Sequence, residues 1–412
     1  MYNISPSIRR FAIALIAGAA LATIWVNLSP ETYYDLIEFR LFDLPLPSFM
    51  MTIASSVTPL AMVSNLMMPL FFLFVGKELW EALVLERGAL SLSRQPLLPL
   101  GAFIGSALGA VAVWLIATAL LDPLGEAGLR AGWASGIGSD VVLCYVIGRA
   151  VFGRSHPALH FLLLLTVTQD IVALSITAAT LPFEGYHVIW AIGSPLAALA
   201  VWVLFGRHHR RSDASEVVHQ RAASLVPYAL AGGVSWLCFA LAGFPPELGL
   251  LPIIPAIPHA SHSFGIFAEA EGLLHDPLNR LVSALTQPIA IVLFLFGLTR
   301  GAIDLTAFGP ATQAVLSTFW IGKPLGFLAG TSLALTFGGG KVPAGMRLAD
   351  FVLLALITAT GFVAPLTVLD LSLSGGITNA EARLGLALSL LIGPATILGA
   401  LIFRRKRARL NS

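Results

Sequence analysis

Apolar runs of about twenty residues, long enough as helices to cross the hydrocarbon layer of a membrane, recur along the whole chain. Short polar or glycine- and proline-bearing connectors separate them. The pattern predicts twelve spans, near 11–28, 58–80, 96–120, 131–150, 158–180, 187–206, 224–242, 247–258, 281–303, 311–338, 349–372 and 383–403. The eighth is short and bounded by prolines. The longest polar connectors fall at about 29–52, 206–223 and 259–280, and no soluble domain interrupts the series. The expectation is a single polytopic, all-α membrane domain over residues 1–412.

Composition agrees. Of the 412 residues 57% are hydrophobic and 11% charged, against about 25% charged in soluble domains. Lysine and arginine then set the orientation, because cytoplasmic loops collect them. With both termini cytoplasmic, the inner side holds Arg9, Arg10, Lys77, Arg87, Arg94, Arg149, Arg154, Arg207, Arg210, Arg211, Arg221, Arg280, Lys341, Arg347 and the tail Arg404, Arg405, Lys406, Arg407 and Arg409. The outer side holds only Arg40, Arg130, Arg300 and Arg383, and Lys323 lies inside a span. The first connector is acidic, as an external loop can be, with Glu31, Asp35, Glu38 and Asp43.

Several features carry no chemistry on this reading. "IRRFAIALIAGAALATIW" is an uncleaved first span rather than a leader. Cys144 and Cys238 lie within spans and form neither a disulfide framework nor a ligand cluster. "RHHRR" at 207–211 is a positive inner loop rather than a metal site. The chain has no Walker-type phosphate loop, so ATP is not its driving force, and no cofactor or nucleic-acid partner is expected.

Three charges remain deep in spans: Asp140, Asp170 and Lys323, with Arg300 near the end of the ninth as a fourth. Asp170 is the one charged residue between Phe161 and Glu184. A central Asp or Lys costs about 2.5–3.5 kcal/mol on insertion scales, so such residues mark ion pathways or structural ion pairs. Two acids and a base favour the pathway. Gly132, Gly136, Gly138 and Ser139 precede Asp140 directly. Glycine at that density weakens a helix, and a broken membrane helix is tolerated where its backbone lines a cavity or packs in protein. Asp140 is expected to ligand an ion through water or to compensate the helix ends at the break. A second break is expected at Thr358, Thr360, Gly361 and Pro365. The third to fifth and the tenth to twelfth spans thus each carry a broken middle member. Units that start seven spans apart have opposite orientations, and matching breaks in inverted repeats point to a transporter site. The repeats would cover about 96–180 and 311–403, leaving interface helices at about 11–80 and 187–303.

"MPLFFLFVGKELWEAL" (68–83), "GWASGIGSDVVLCYVIGRAVFG" (132–153), "LLLLTVTQDIVALSI" (162–176) and "IGKPLGFLAG" (321–330) resemble, in order and spacing, the bacterial NhaA-type sodium/proton antiporters. The likeness runs from about the second span onwards. It implies a bacterial inner-membrane secondary transporter that exchanges a monovalent cation (Na+ or Li+, with K+ as a further candidate) for H+ by alternating access. It also implies roles for site residues. Asp170 would be the essential ion- and proton-binding carboxylate, with Asp140 and Ser139 at the crossing of the unwound helices. Lys323 would be the membrane lysine, and Glu78 part of a cytoplasmic pH-responsive cluster. The tentative cation ligands are Asp170, Gln169, Ser139 and Asp140, and the partners are cation, proton, lipid bilayer and a second copy of the chain. Two departures stand out. The family has adjacent aspartates where this chain has Gln169–Asp170, as is similar to potassium/proton efflux systems, and the missing acid is the one paired with the lysine. The expectation here is that Lys323 turns to Asp170 instead. The acidic and histidine residues that open the family's ninth span are also missing, and Arg280 stands there.

The nearest rival is a sodium-coupled organic-anion symporter of the same architecture, kept open by Arg300. An intramembrane aspartyl protease would use both acids and "HPALH" (156–160), but "GIGSD" puts a serine into the Gly-x-Gly-Asp motif, and such chemistry has no use for Lys323. A passive channel lacks its filter-like carbonyl motif. The expectation is a carrier and not an enzyme.

Overall fold

The computed structural model describes residues 7–43, 56–84, 97–154, 156–180, 188–206, 224–259, 276–337, 342–343, 345–373 and 375–410. Arg87, Arg94, the 207–211 basic run, Arg221, Lys341, Glu184 and most of the connector before Arg280 lie outside the described residues. So do the side chains of the basic tail.

Helices follow the apolar runs. Six among the described residues are long and apolar enough to cross a membrane: Ser7–Leu28, Pro59–Glu81, Leu97–Leu121, Ala158–Thr180, Pro277–Arg300 and Gly376–Ile402. Two bent pairs bring the number to eight: Leu129–Gly136 with Val141–Phe152 at 46°, and Leu348–Thr358 with Val363–Ser372 at 45°. Ile189–Leu204 and Val226–Ala242 are shorter. The tenth expected span is built as Pro310–Ser317, a wide turn over Thr318–Gly322, and Lys323–Thr336. The eighth is not a full crossing. It consists of two 3₁₀ pieces, Pro246–Leu248 and Leu251–Ala256, because Pro252 and Pro255 remove the donors that a regular helix needs. The described part of the first connector is also structured. Pro30–Ile37 forms a helix that buries Tyr33 and Ile37, and Phe42–Asp43 pairs antiparallel with Ser56–Val57.

The chain divides into two compact units. One combines Tyr2–Glu81 with Ala178–Ala302. Within it, Ser7–Leu28 lies against Pro277–Arg300, and the Tyr33 hydroxyl shares its one hydrogen between the carbonyls of Leu298 at 2.9 Å and Thr299 at 3.1 Å. The other combines Ala82–Thr177 with Ile303–Ser412 and holds both bent pairs. Its closest helix contact joins Leu97–Leu121 to Lys323–Thr336. A Cβ on Gly105 would lie 2.6 Å from the Gly330 Cα, and one on Gly109 2.6 Å from the Gly326 Cα. Only glycine permits that approach, which is how small residues pack membrane helices. An apolar cluster that includes Leu98, Phe161, Leu165, Phe327, Phe351 and Leu354 packs within this unit.

Candidate ion site at the crossed breaks

The first break begins where the 3₁₀ turn Leu129–Gly136 runs out and ends where Val141–Phe152 starts. The second separates Thr358 from Val363. Pro365 stands in the first turn after it, where its missing N–H is no loss, yet a continuous helix would need that N–H to bond residue 361. The breaks touch. A Cβ on Gly138 would sit 3.2 Å from the Pro365 Cδ, so a larger residue would push them apart.

Each broken end leaves backbone groups without helical partners, and buried side chains supply them. Asp140 is the N-cap of Val141–Phe152, with Oδ1 accepting from the Leu143 N–H at 2.7 Å. Its Oδ2 accepts from the Val363 N–H at 3.1 Å, and its own N–H donates to the Thr360 carbonyl at 3.1 Å. One carboxylate therefore caps both resumed helices, whose N-termini favour negative charge. Of the two roles expected for Asp140, the geometry displays the compensation of helix ends. The Cys144 thiol donates to the Ile357 carbonyl at 3.1 Å, which ties the crossing further.

Lys323 serves the opposite polarity. Its ammonium donates to the carbonyls of Ile137, at 3.2 Å, and Gly138, and to Ser139 Oγ at 2.9 Å. Three hydrogens meet three acceptors, and the Phe319 ring lies beneath at 5.2 Å. Lys323 and Asp170 feel each other's charge across the site, but among the described residues no direct ion pair joins them, and the ammonium's hydrogens go to the break instead. The physical reason is that the carbonyls ending the first half-helix have no backbone donor, and the negative end of a helix attracts a cation.

Asp170 and Gln169 come from the unbroken helix Ala158–Thr180. Asp170 is 1% exposed. Its Oδ1 accepts from the Ser139 N–H at 2.6 Å and the Val141 N–H also acts on the carboxylate, whereas the buried Oδ2 meets no donor at full hydrogen-bonding geometry. Ser139 Oγ lies 2.6 Å from Gln169 Oε1 and 2.8 Å from the Thr358 carbonyl. It has one hydrogen for these two acceptors. The Thr360 hydroxyl at the second break is likewise buried without a partner. Asp170, Gln169, Ser139, Asp140 and Lys323 are thus gathered at one crossing. A buried carboxylate oxygen lacking a donor is costly; a proton or a hard monovalent cation removes the cost.

Other charges make contacts that the sequence pattern does not show. Lys77, expected among the inner-loop basics, is buried and pairs with buried Glu81 at 2.9 Å. The two stand four residues apart, on one helix face, and that spacing was the available signal. Glu78 is buried beside them in sequence. Arg300 donates to Ser64 Oγ at 2.6 Å, within the unit that lacks the bent pairs. Ser106, also missed, is wholly buried and accepts from Gln169 Nε2 at 3.2 Å.

A family model described as Na+/H+ antiporter 1 matches residues 7–403. The Na(+)/H(+) antiporter NhaA of Jannaschia sp. (strain CCS1) is 36% identical, over 96% of this chain and 98% of that protein. The Na(+)/H(+) antiporter NhaA 2 of Pelobacter propionicus is 31% identical over 98% of this chain and 97% of that one. The Na(+)/H(+) antiporter NhaA of Geobacter metallireducens is 30% identical over 93% of each.

Proposed function

The chain belongs to the Na+/H+ antiporter 1 family, and from that premise we propose that it exchanges Na+ for H+ across a bacterial membrane by alternating binding at Asp170. The observation that carries the assignment is the Asp170 Oδ2, buried and without a hydrogen-bond partner while Oδ1 is held by Ser139. One proton neutralises that oxygen. One cation does the same, with Gln169 Oε1 and Ser139 Oγ as neighbouring oxygen ligands. The two species compete for one atom, and alternating access turns competition into exchange.

Asp140 and Lys323 hold the breaks open and oppositely charged, so the site keeps its shape as its cargo changes. The protein acts as a carrier, not an enzyme, and needs no cofactor. Residues about 96–180 and 311–403 form the transporting repeats, and those about 11–80 and 187–303 the interface for a second copy. It sits in the inner membrane with both termini cytoplasmic, among lipids. The choice among Na+, Li+ and K+ belongs to the ligand set around Gln169.

The test is proton flux into proteoliposomes driven by sodium, lithium and potassium gradients in turn. Wild-type protein is expected to alkalinise or acidify the lumen according to the gradient's direction, and Asp170→Asn to lose the flux while eluting as a folded protein. Near-normal flux in Asp170→Asn would remove the assignment.

A further inference from the structure

An ammonium taken out of water loses its hydration, and acceptor atoms are one replacement for it. The negative face of an aromatic ring is another. Lys323 is wholly buried and has both. Its hydrogens go to the carbonyls of Ile137 and Gly138 and to Ser139 Oγ. Its Nζ also stands over the Phe319 ring, 5.2 Å from the centroid. Phe319 is itself fully buried, and the attraction between a cation and a ring is strongest where both are desolvated. We propose that Phe319 is a positioning residue of the exchange site, whose ring face seats the Lys323 ammonium and keeps it charged against the end of the first half-helix.

Local sequence puts the ring there. Pro324 has no N–H to bond the Trp320 carbonyl as a regular helix would. The turn before it widens instead, with the Lys323 N–H on the Thr318 carbonyl. Helical side chains lean towards the N-terminus of their helix, so the lysine runs back over Phe319, four residues earlier. The ring also reaches the second break: a Cβ on Gly361 would lie 2.8 Å from the Phe319 Cζ. One side chain thus touches the glycine of the second break while it seats the cation that serves the first. An aliphatic residue in its place would still pack there but would offer the ammonium no negative face. The other titratable groups that bear on Lys323 are Asp170 from Ala158–Thr180 and the Cys144 thiol from Val141–Phe152. Asp140 heads the latter helix. A change confined to the Phe319 ring alters none of them.

The inference rests on the reading of Lys323 as the charged group that serves the ion site. Phenylalanines of increasing ring fluorination, placed at position 319, weaken the negative face in steps and barely change the ring's size. Because the ring favours the charged form, weakening it lets the proton leave at lower pH. The alkaline midpoint of sodium-driven flux is therefore expected to move towards neutrality with each step, by about one pH unit in all. Phe319→Leu should show the full shift. The melting temperature in detergent should begin its alkaline fall correspondingly earlier, a readout that needs no transport. Flux and melting profiles that coincide with wild type throughout the fluorinated series would overturn the seat. A shift in Phe319→Leu alone would also overturn it, since only packing would then be lost. Absence of sodium-dependent proton flux in wild-type protein, with the melting shift present, would instead overturn the exchange reading and leave the seat in place.

Discussion

At the scale of single residues, the crossing separates atoms that hold the fold from the atom that is free to react. Asp140 spends both oxygens on backbone donors, and Lys323 spends its three hydrogens on Ile137, Gly138 and Ser139. Asp170 spends one oxygen of two. Asp140→Asn keeps one acceptor but turns an N–H₂ towards the other backbone donor. It is expected to cost about 1–3 kcal/mol of stability, read as a lower melting temperature in detergent, whereas Asp170→Asn leaves the melting temperature within a few degrees of wild type or raises it. Lys323→Met strands the carbonyls of Ile137 and Gly138 and is expected to destabilise by more than about 2 kcal/mol. A Lys323→Met protein that melts like wild type while losing transport would assign the ammonium to ion handling instead. The sequence made Asp140, Asp170 and Lys323 visible, because lone charges in apolar runs are rare. It could not divide their labour, since that depends on which backbone donors and acceptors the breaks leave unpaired.

At the scale of elements, two kinds of device position those residues. Breaks are made by glycine clusters and by Pro365, and both were legible from composition within a few residues. The contact between Leu97–Leu121 and Lys323–Thr336 was written as plainly, in the four-residue spacing of Gly101, Gly105 and Gly109 and of Gly322, Gly326 and Gly330, but one helix stands in the third span and the other in the tenth. Periodicity marks a face; it does not name the face's partner. The buried Lys77–Glu81 pair escaped for a related reason, since charge near a predicted span end reads as loop until the packing is known. Gly105→Ala places a methyl against Gly330 backbone, which no side-chain movement can relieve. Overpacking of this kind costs about 1–3 kcal/mol, and here it also shifts Ser106 from Gln169. The expected outcome is a lowered melting temperature together with a raised KM for Na+. Ala112→Gly, at the end of the same face, should alter neither by more than about the 1 kcal/mol typical of glycine in a helix.

At the scale of the whole molecule, the charge inventory of the site fixes how many protons can accompany one cation. A transporter with two titrating groups at its site can release two. In this chain the residue before Asp170 is Gln169, which carries no titrating proton, and Asp140 is committed to the helix ends. Lys323 is the remaining candidate, and its hydrogens are bound to carbonyls that a deprotonated amine would serve less well. On that count the expected exchange is electroneutral, one proton from Asp170 for each cation. Two measurements follow from that count. Clamping the membrane potential with potassium and valinomycin should leave the rate of sodium-driven proton flux unchanged. Where protons outcompete sodium, the apparent KM for Na+ should rise about tenfold for each unit fall in pH, the signature of a single competing proton. The sign follows from the competition: protonating Asp170 removes the negative oxygen that the cation needs, so affinity falls as pH falls. A hundredfold rise per unit, with flux that tracks the clamped potential, would mean that Lys323 gives up its proton when the cation enters. Its three carbonyl and hydroxyl contacts would then be those of the empty site alone.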